Sequence, residues 1–142
     1  MITVIRSILS VLVGFVVATI VMLVVEIVNG NILYPELGRS AQGVTDREVL
    51  RTLLANAPIG AFAVVIVGWI LGAIAGGSTA ALIAGRAKIR HSFVLGVLLS
   101  LGGVANNLMI PPPLWFWIVS LTVLLPSTYI GGRLVTRSPA TV

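Results

Sequence analysis

The chain has 142 residues, of which 58% are hydrophobic and only 9% charged, and its mean hydropathy is +1.12. A soluble domain carries about a quarter charged residues, so this composition excludes a water-soluble globule and leaves an integral membrane protein. The net charge of +5 sits at the ends of apolar runs, where it marks topology and excludes nucleic acid as the partner, and the lack of cysteine excludes disulfides, thiolate metal sites and cysteine nucleophiles.

A hydrocarbon core about 30 Å thick takes roughly 20 helical residues, so the chain holds four spans in one domain over 1–142. The first span is expected at about 5–28. Its apolar core from Ile8 to Val25 exceeds the h-region of a signal peptide and no A-x-A pattern follows, which predicts a retained span. Glu26, close to its end, is the only acidic residue in or beside a span, and an ionisable group at membrane depth is a candidate for function.

The connection from Asn29 to Ala57 contains PELGRSAQGV (35 to 44), whose composition predicts turns and mobility. TDREVLRTLLANAP follows. Thr45 and Glu48 have capping-box spacing, and Leu50, Leu53 and Leu54 form one stripe, so a short amphipathic helix is expected at about 45–56.

The second span, about 58–85, contains GWILGAIAGGSTAALIAGR, with Gly68, Gly72, Gly76, Ala80 and Ala84 at every fourth position. GAIAGGST has the outline of a phosphate-binding loop, but Ser78 stands where that loop needs lysine. Helices in lipid gain nothing by burying apolar side chains against each other, so their association relies on small residues that let backbones touch. The five positions therefore read as a helix-packing face. It meets either another helix of the same chain or a neighbouring subunit; a pore lined by Ser78 and Thr79 is the weaker reading.

The third span (92–110) and the fourth (114–135) are joined by Pro111, Pro112 and Pro113, a link short enough to require antiparallel neighbours. Asn106 and Asn107 fall near the level of Glu26, and the three form a candidate polar site for a cation, a proton or a head group. The plainer reading is that one asparagine bonds across helices while Glu26 reaches interfacial water. Pro126 frees a backbone carbonyl, for which Ser127 or Thr128 would compensate. His91, in the basic turn RAKIRH, has no further metal ligands nearby, and no catalytic constellation, cofactor motif or metal cluster is visible.

Orientation follows from the basic residues. Arg6, Arg86, Lys88, Arg90, Arg133 and Arg137 fall on one side, and Arg39, Arg47 and Arg51 fall on the other with all four acids, so both termini are expected in the cytoplasm. Arg86, Lys88, Arg90 and Arg133 would contact lipid head groups, while Trp69, Trp115 and Trp117 would anchor the outer interface. NILYP, Trp69 and IAGR in the first hairpin are matched by NLMIP, Trp117 and IGGR in the second, which suggests a parallel duplication. The expected fold is an all-α, four-span antiparallel bundle in a prokaryotic inner membrane. The leading functional expectation is a non-enzymatic accessory or assembly subunit, working as a homo-oligomer or in a larger membrane complex. The alternative is a small transporter or channel subunit that handles a cation or polar solute at Glu26, Asn106 and Asn107.

Overall fold

A computed structural model describes residues 2–137. Every element among them is helical: α1 (Ile2–Val28), a π-helical turn (Asn29–Leu33), α2 (Pro35–Ala41), α3 (Arg47–Ala55), α4 (Ile59–Ala84), α5 (Lys88–Met109) and α6 (Leu114–Arg137). Four of these helices are long and apolar enough to cross a membrane, the first continuing through the π turn to Leu33. Only helices that satisfy their own backbone groups suit that solvent, which is why uninterrupted apolar runs become single helices.

The central element is α4, which packs against α1, α5 and α6. Its neighbours in register show that α1 runs antiparallel to it, since Gly68 meets Val25, Gly72 meets Ala18 and Gly76 meets Gly14. Along α6 the order is parallel, from Phe62 beside Trp115 to Ser78 beside Gly131. Helix α5 is antiparallel to α6, with Ser92 near Gly132 and Asn107 near Ser120. The four long helices thus alternate in direction along the chain.

Two faces of α4 make this closeness possible. On the first, a Cβ built on Gly76 would lie 2.5 Å from the Gly14 carbonyl oxygen and 2.8 Å from the Ala18 Cβ. A Cβ on Gly72 would lie 2.7 Å from the Ala18 oxygen. The residues opposite, Ser10, Gly14 and Ala18, are themselves small, buried and spaced by four. On the second face, Gly77 rests against the backbone of Thr128, while the Ser92 hydroxyl donates to the Gly77 carbonyl (2.8 Å) and that of Ser78 to the Gly131 carbonyl (3.0 Å). Gly68, Gly72, Gly76 and Ala80 are buried, and Ala84 is half-buried at the helix end. Dispersion between closely placed backbones and short hydroxyl-to-carbonyl bonds hold the bundle, as expected where the surroundings are as apolar as leucine.

The ends depart from the sequence expectations in three places. Residues 35 to 41 form a helix rather than a turn region: proline occupies its first turn, and Gly38 lies directly on Gly30 of the π turn. Helix α3 is capped by Asp46 and not by Thr45, because the Asp46 Oδ1 accepts the N–H groups of Glu48 (2.9 Å) and Val49 (3.1 Å). A carboxylate there also favours the positive end of the helix. RAKIRH is mostly helix, since α5 begins at Lys88, four residues before the expected start of the span. The actual turn is Gly85 to Ala87, made with left-handed backbone at Gly85 (φ 70°) and Ala87 (φ 48°).

Helix α6 continues through Pro126. Ser127 donates to the Val123 carbonyl (2.6 Å) and Thr128 to that of Leu125 (2.9 Å), so neither hydroxyl serves the Thr122 carbonyl, which loses its usual N–H donor to the proline.

Candidate functional site

The basic end of the bundle is assembled from three helices. Arg6 Nε–H donates to the Ile83 carbonyl (2.6 Å), and the guanidinium covers Gly85. The last carbonyls of a helix lack partners within it and carry partial negative charge, so Arg6 caps α4 both by hydrogen bond and by charge. Arg86 follows in the turn, and Lys88 and Arg90 border a shallow depression shared with Thr136 of α6. Arg133 lies 6.0 Å from the Tyr129 ring centre. The side chain of Arg137 lies outside the described residues. His91 Nδ1 is 3.1 Å from the Ala87 carbonyl oxygen, a contact inside the first turn of α5.

At the opposite end Glu26 and Trp69 meet. The indole Nε1–H of Trp69 donates to Glu26 Oε1 at 3.4 Å, a long bond between a buried tryptophan and an exposed carboxyl group. Trp69 is fixed from its other side by Phe116, whose ring centre is 6.0 Å away, and Phe116 in turn contacts Phe62 and Trp115. Trp69 is thus packed within the bundle, Trp115 remains exposed and Trp117 is half-buried.

Glu26 and Trp69 stand over a cleft of about 250 Å³ between α1, α4 and α5. Asn106 lies on its rim from α5, so Glu26 and Asn106 share one site. The remainder of the lining is mostly apolar, with Phe15 at the far end and Leu99 and Leu124 behind. Gly102 is on the open side, and a Cβ built there would meet nothing within 4 Å.

Asn107 does not belong to this cleft. It is fully buried between α5 and α6, where its Nδ2 donates to the Ser120 hydroxyl (3.3 Å) and its Oδ1 has no protein partner. Successive helical residues are about 100° apart, so two adjacent asparagines necessarily face different neighbours. Asn107 continues the buried series Leu95, Leu99 and Gly103, whereas Asn106 follows Gly102 onto the cleft.

One polar residue was missed from sequence. Asn29 is buried in the π turn, where its Nδ2 donates to the Ala61 carbonyl (3.0 Å) and its Oδ1 is unpartnered. The turn is closed by Tyr34 N–H donating to the Asn29 carbonyl (2.7 Å), the wider spacing of a π-helix, and such insertions re-aim side chains. Glycine next to two asparagines was the available signal.

The described residues contain no group of three or more His, Asp or Glu side chains placed to hold a metal ion. No known family, curated protein or solved structure matches this chain.

Proposed function

We propose that this chain is an integral-membrane accessory subunit without catalytic activity, oriented with its basic end and both termini in the cytoplasm of a prokaryotic cell. The observation that carries the reading is the packed interior around α4, behind the wall of the cleft. Ala18, Ala73, Ala80, Leu95, Leu99, Leu124 and Trp69 form one buried cluster, and the hydroxyls of Ser78, Ser92 and Thr79 are committed to carbonyls rather than to a water-filled path. A closely packed centre supports a fixed scaffold.

The small-residue stripe of α4 is covered by this chain's own α1, so a second copy or another subunit would be met through the bulkier outer faces. Those faces are broad: Ile8, Leu12, Val16 and Ile20 of α1 are each more than half exposed. Positive-inside orientation rests on Arg6, Arg86, Lys88, Arg90 and Arg133 gathering at one end. The resemblance between the two hairpins fits an origin by duplication.

The test is purification in mild detergent beside flux in proteoliposomes. A co-purifying membrane subunit or a defined homo-oligomer, with no cation or proton flux, is the expected outcome. The transporter reading draws its support from Glu26 and Asn106 sharing a cleft, and flux abolished by Glu26→Gln in a folded protein would replace the accessory reading with it. Export-dependent reporters give the orientation: activity is expected within 39 to 44 and none within 86 to 87.

A further inference from the structure

We propose that the cleft between α1, α4 and α5 is a lateral binding site for a membrane lipid whose head group carries a primary ammonium, with the ammonium at Glu26 and Asn106 and one acyl chain lying toward Phe15. This goes beyond the accessory reading and stands whether or not a partner subunit exists.

The first support is charge. Among the described residues the only ion pair joins Arg39 to Glu36, so Glu26 has no cationic partner among them and is met there only by the long bond from Trp69. A carboxylate at the edge of hydrocarbon gains from a cation brought against it, and a charge-assisted bond is stronger than a neutral one. Asn106, on the same rim, offers both an acceptor and donors, so it can serve an ammonium and the adjoining phosphate together.

The second support is position. Glu26 lies twenty residues along α1 from Arg6, about 30 Å of helix, which is one hydrocarbon thickness. Arg6 is at the basic end of α4. Glu26 is therefore level with the head groups of the opposite leaflet, where a lipid presents its ammonium at high local concentration.

The third support is shape. From Glu26 to Phe15 the cleft follows α1 for eleven residues, about 16 Å, and beyond Glu26 and Asn106 its lining is apolar except for Trp69 N–H, which faces Glu26, and Thr19, whose hydroxyl is committed to the Phe15 carbonyl (2.9 Å). A small hydrated cation would leave the apolar part unused, whereas an amphiphile matches both ends. The side toward the bilayer is open at Gly102, which meets no neighbour, although Gly14, Gly72, Gly76 and Gly103 all touch adjacent helices. A volume of about 250 Å³ holds part of one chain while the rest of the lipid stays in the bilayer.

The experiment reconstitutes the full chain in liposomes of equal phosphatidylethanolamine and phosphatidylglycerol, extracts it in mild detergent and identifies retained lipid by native mass spectrometry. Wild type is expected to retain the ethanolamine lipid about tenfold over the glycerol lipid, and Glu26→Gln to lose that preference, a change of about 1.4 kcal/mol. Gly102→Leu places a side chain in empty space over the cleft, so it should fold with an unchanged thermal transition and retain neither lipid. Glu36→Gln, on the solvent-exposed connection, should behave as wild type. Equal retention of both lipids by wild type, an undiminished preference in Glu26→Gln, or unchanged retention in Gly102→Leu would each overturn the proposal. Displacement of the lipid by millimolar free ethanolamine would overturn the amphiphile in favour of a small-cation site.

Discussion

Replacing Gly76 by alanine adds one methyl group at the closest approach of α1 and α4. That methyl would sit 2.5 Å from the Gly14 carbonyl oxygen, and ordinary contact begins at 3.4 Å, so the helices must separate by about 0.9 Å or tilt to the same effect. A radial gap of about 0.5–1 Å forfeits a quarter to a half of each dispersion contact along the seam. The contacts at risk include Gly72 with Met22 and Gly68 with Val25, because a rigid helix cannot retreat at one residue alone. Overpacking of this kind costs about 1–3 kcal/mol, against which alanine returns up to about 1 kcal/mol of helix propensity. Gly102→Ala is the matched control, for it gains the same propensity and meets nothing. Equilibrium unfolding in mixed micelles should therefore show Gly76→Ala less stable than wild type by about 1–2 kcal/mol and Gly102→Ala equal or slightly more stable. Identical stability for the two variants would refute the reading that backbone contact on this face holds the bundle.

Three further outcomes are expected. Asp46→Ala should cost about 0.5–2 kcal/mol of α3 stability, read as faster amide exchange over 47–55 with the spans unaffected, because two N–H groups lose their acceptor. Asn107→Leu should leave stability unchanged or raise it by about 1 kcal/mol in thermal unfolding, since it removes a buried unpartnered carbonyl at the expense of one long hydrogen bond. Arg6→Gln should lower the thermal transition and increase proteolysis between Gly85 and Ala87, as the end of α4 loses a charged cap.

The four long helices were legible because the solvent imposes its own length rule: apolar runs bounded by Arg6, Arg86 and the three prolines could be little else. The four-residue spacing of small residues on α4 is visible in the sequence, and so is that of Ser10, Gly14 and Ala18 on α1, although the second stripe was not read. Large neighbours such as Leu9 and Leu12 concealed that stripe, since hydropathy alone does not distinguish a lipid face from a contact face. The level of Glu26 with Trp69 followed from helical rise. The rotation of α5 did not, and rotation decides which of two adjacent asparagines enters the cleft. Helix α2 was invisible because seven residues cannot sustain a helix by propensity, and its fit against the π turn is a tertiary effect.

The division of residue sizes bears on how such a chain could recognise anything. Glycine, alanine and serine are used on the inner faces of all four long helices, where they shorten distances between backbones. What remains outside is chiefly leucine, isoleucine and valine, and in lipid those side chains lose little whether they face acyl tails or another protein. Selectivity must then come from the few places where this pattern is broken. On the membrane-facing surface the clearest break joins a carboxyl group without an ion pair among the described residues, an asparagine amide and an uncovered glycine around a single cleft. A substitution on the outer face of α1, such as Leu12→Ala, should therefore disturb neither folding nor recognition as much as Gly102→Leu disturbs recognition alone.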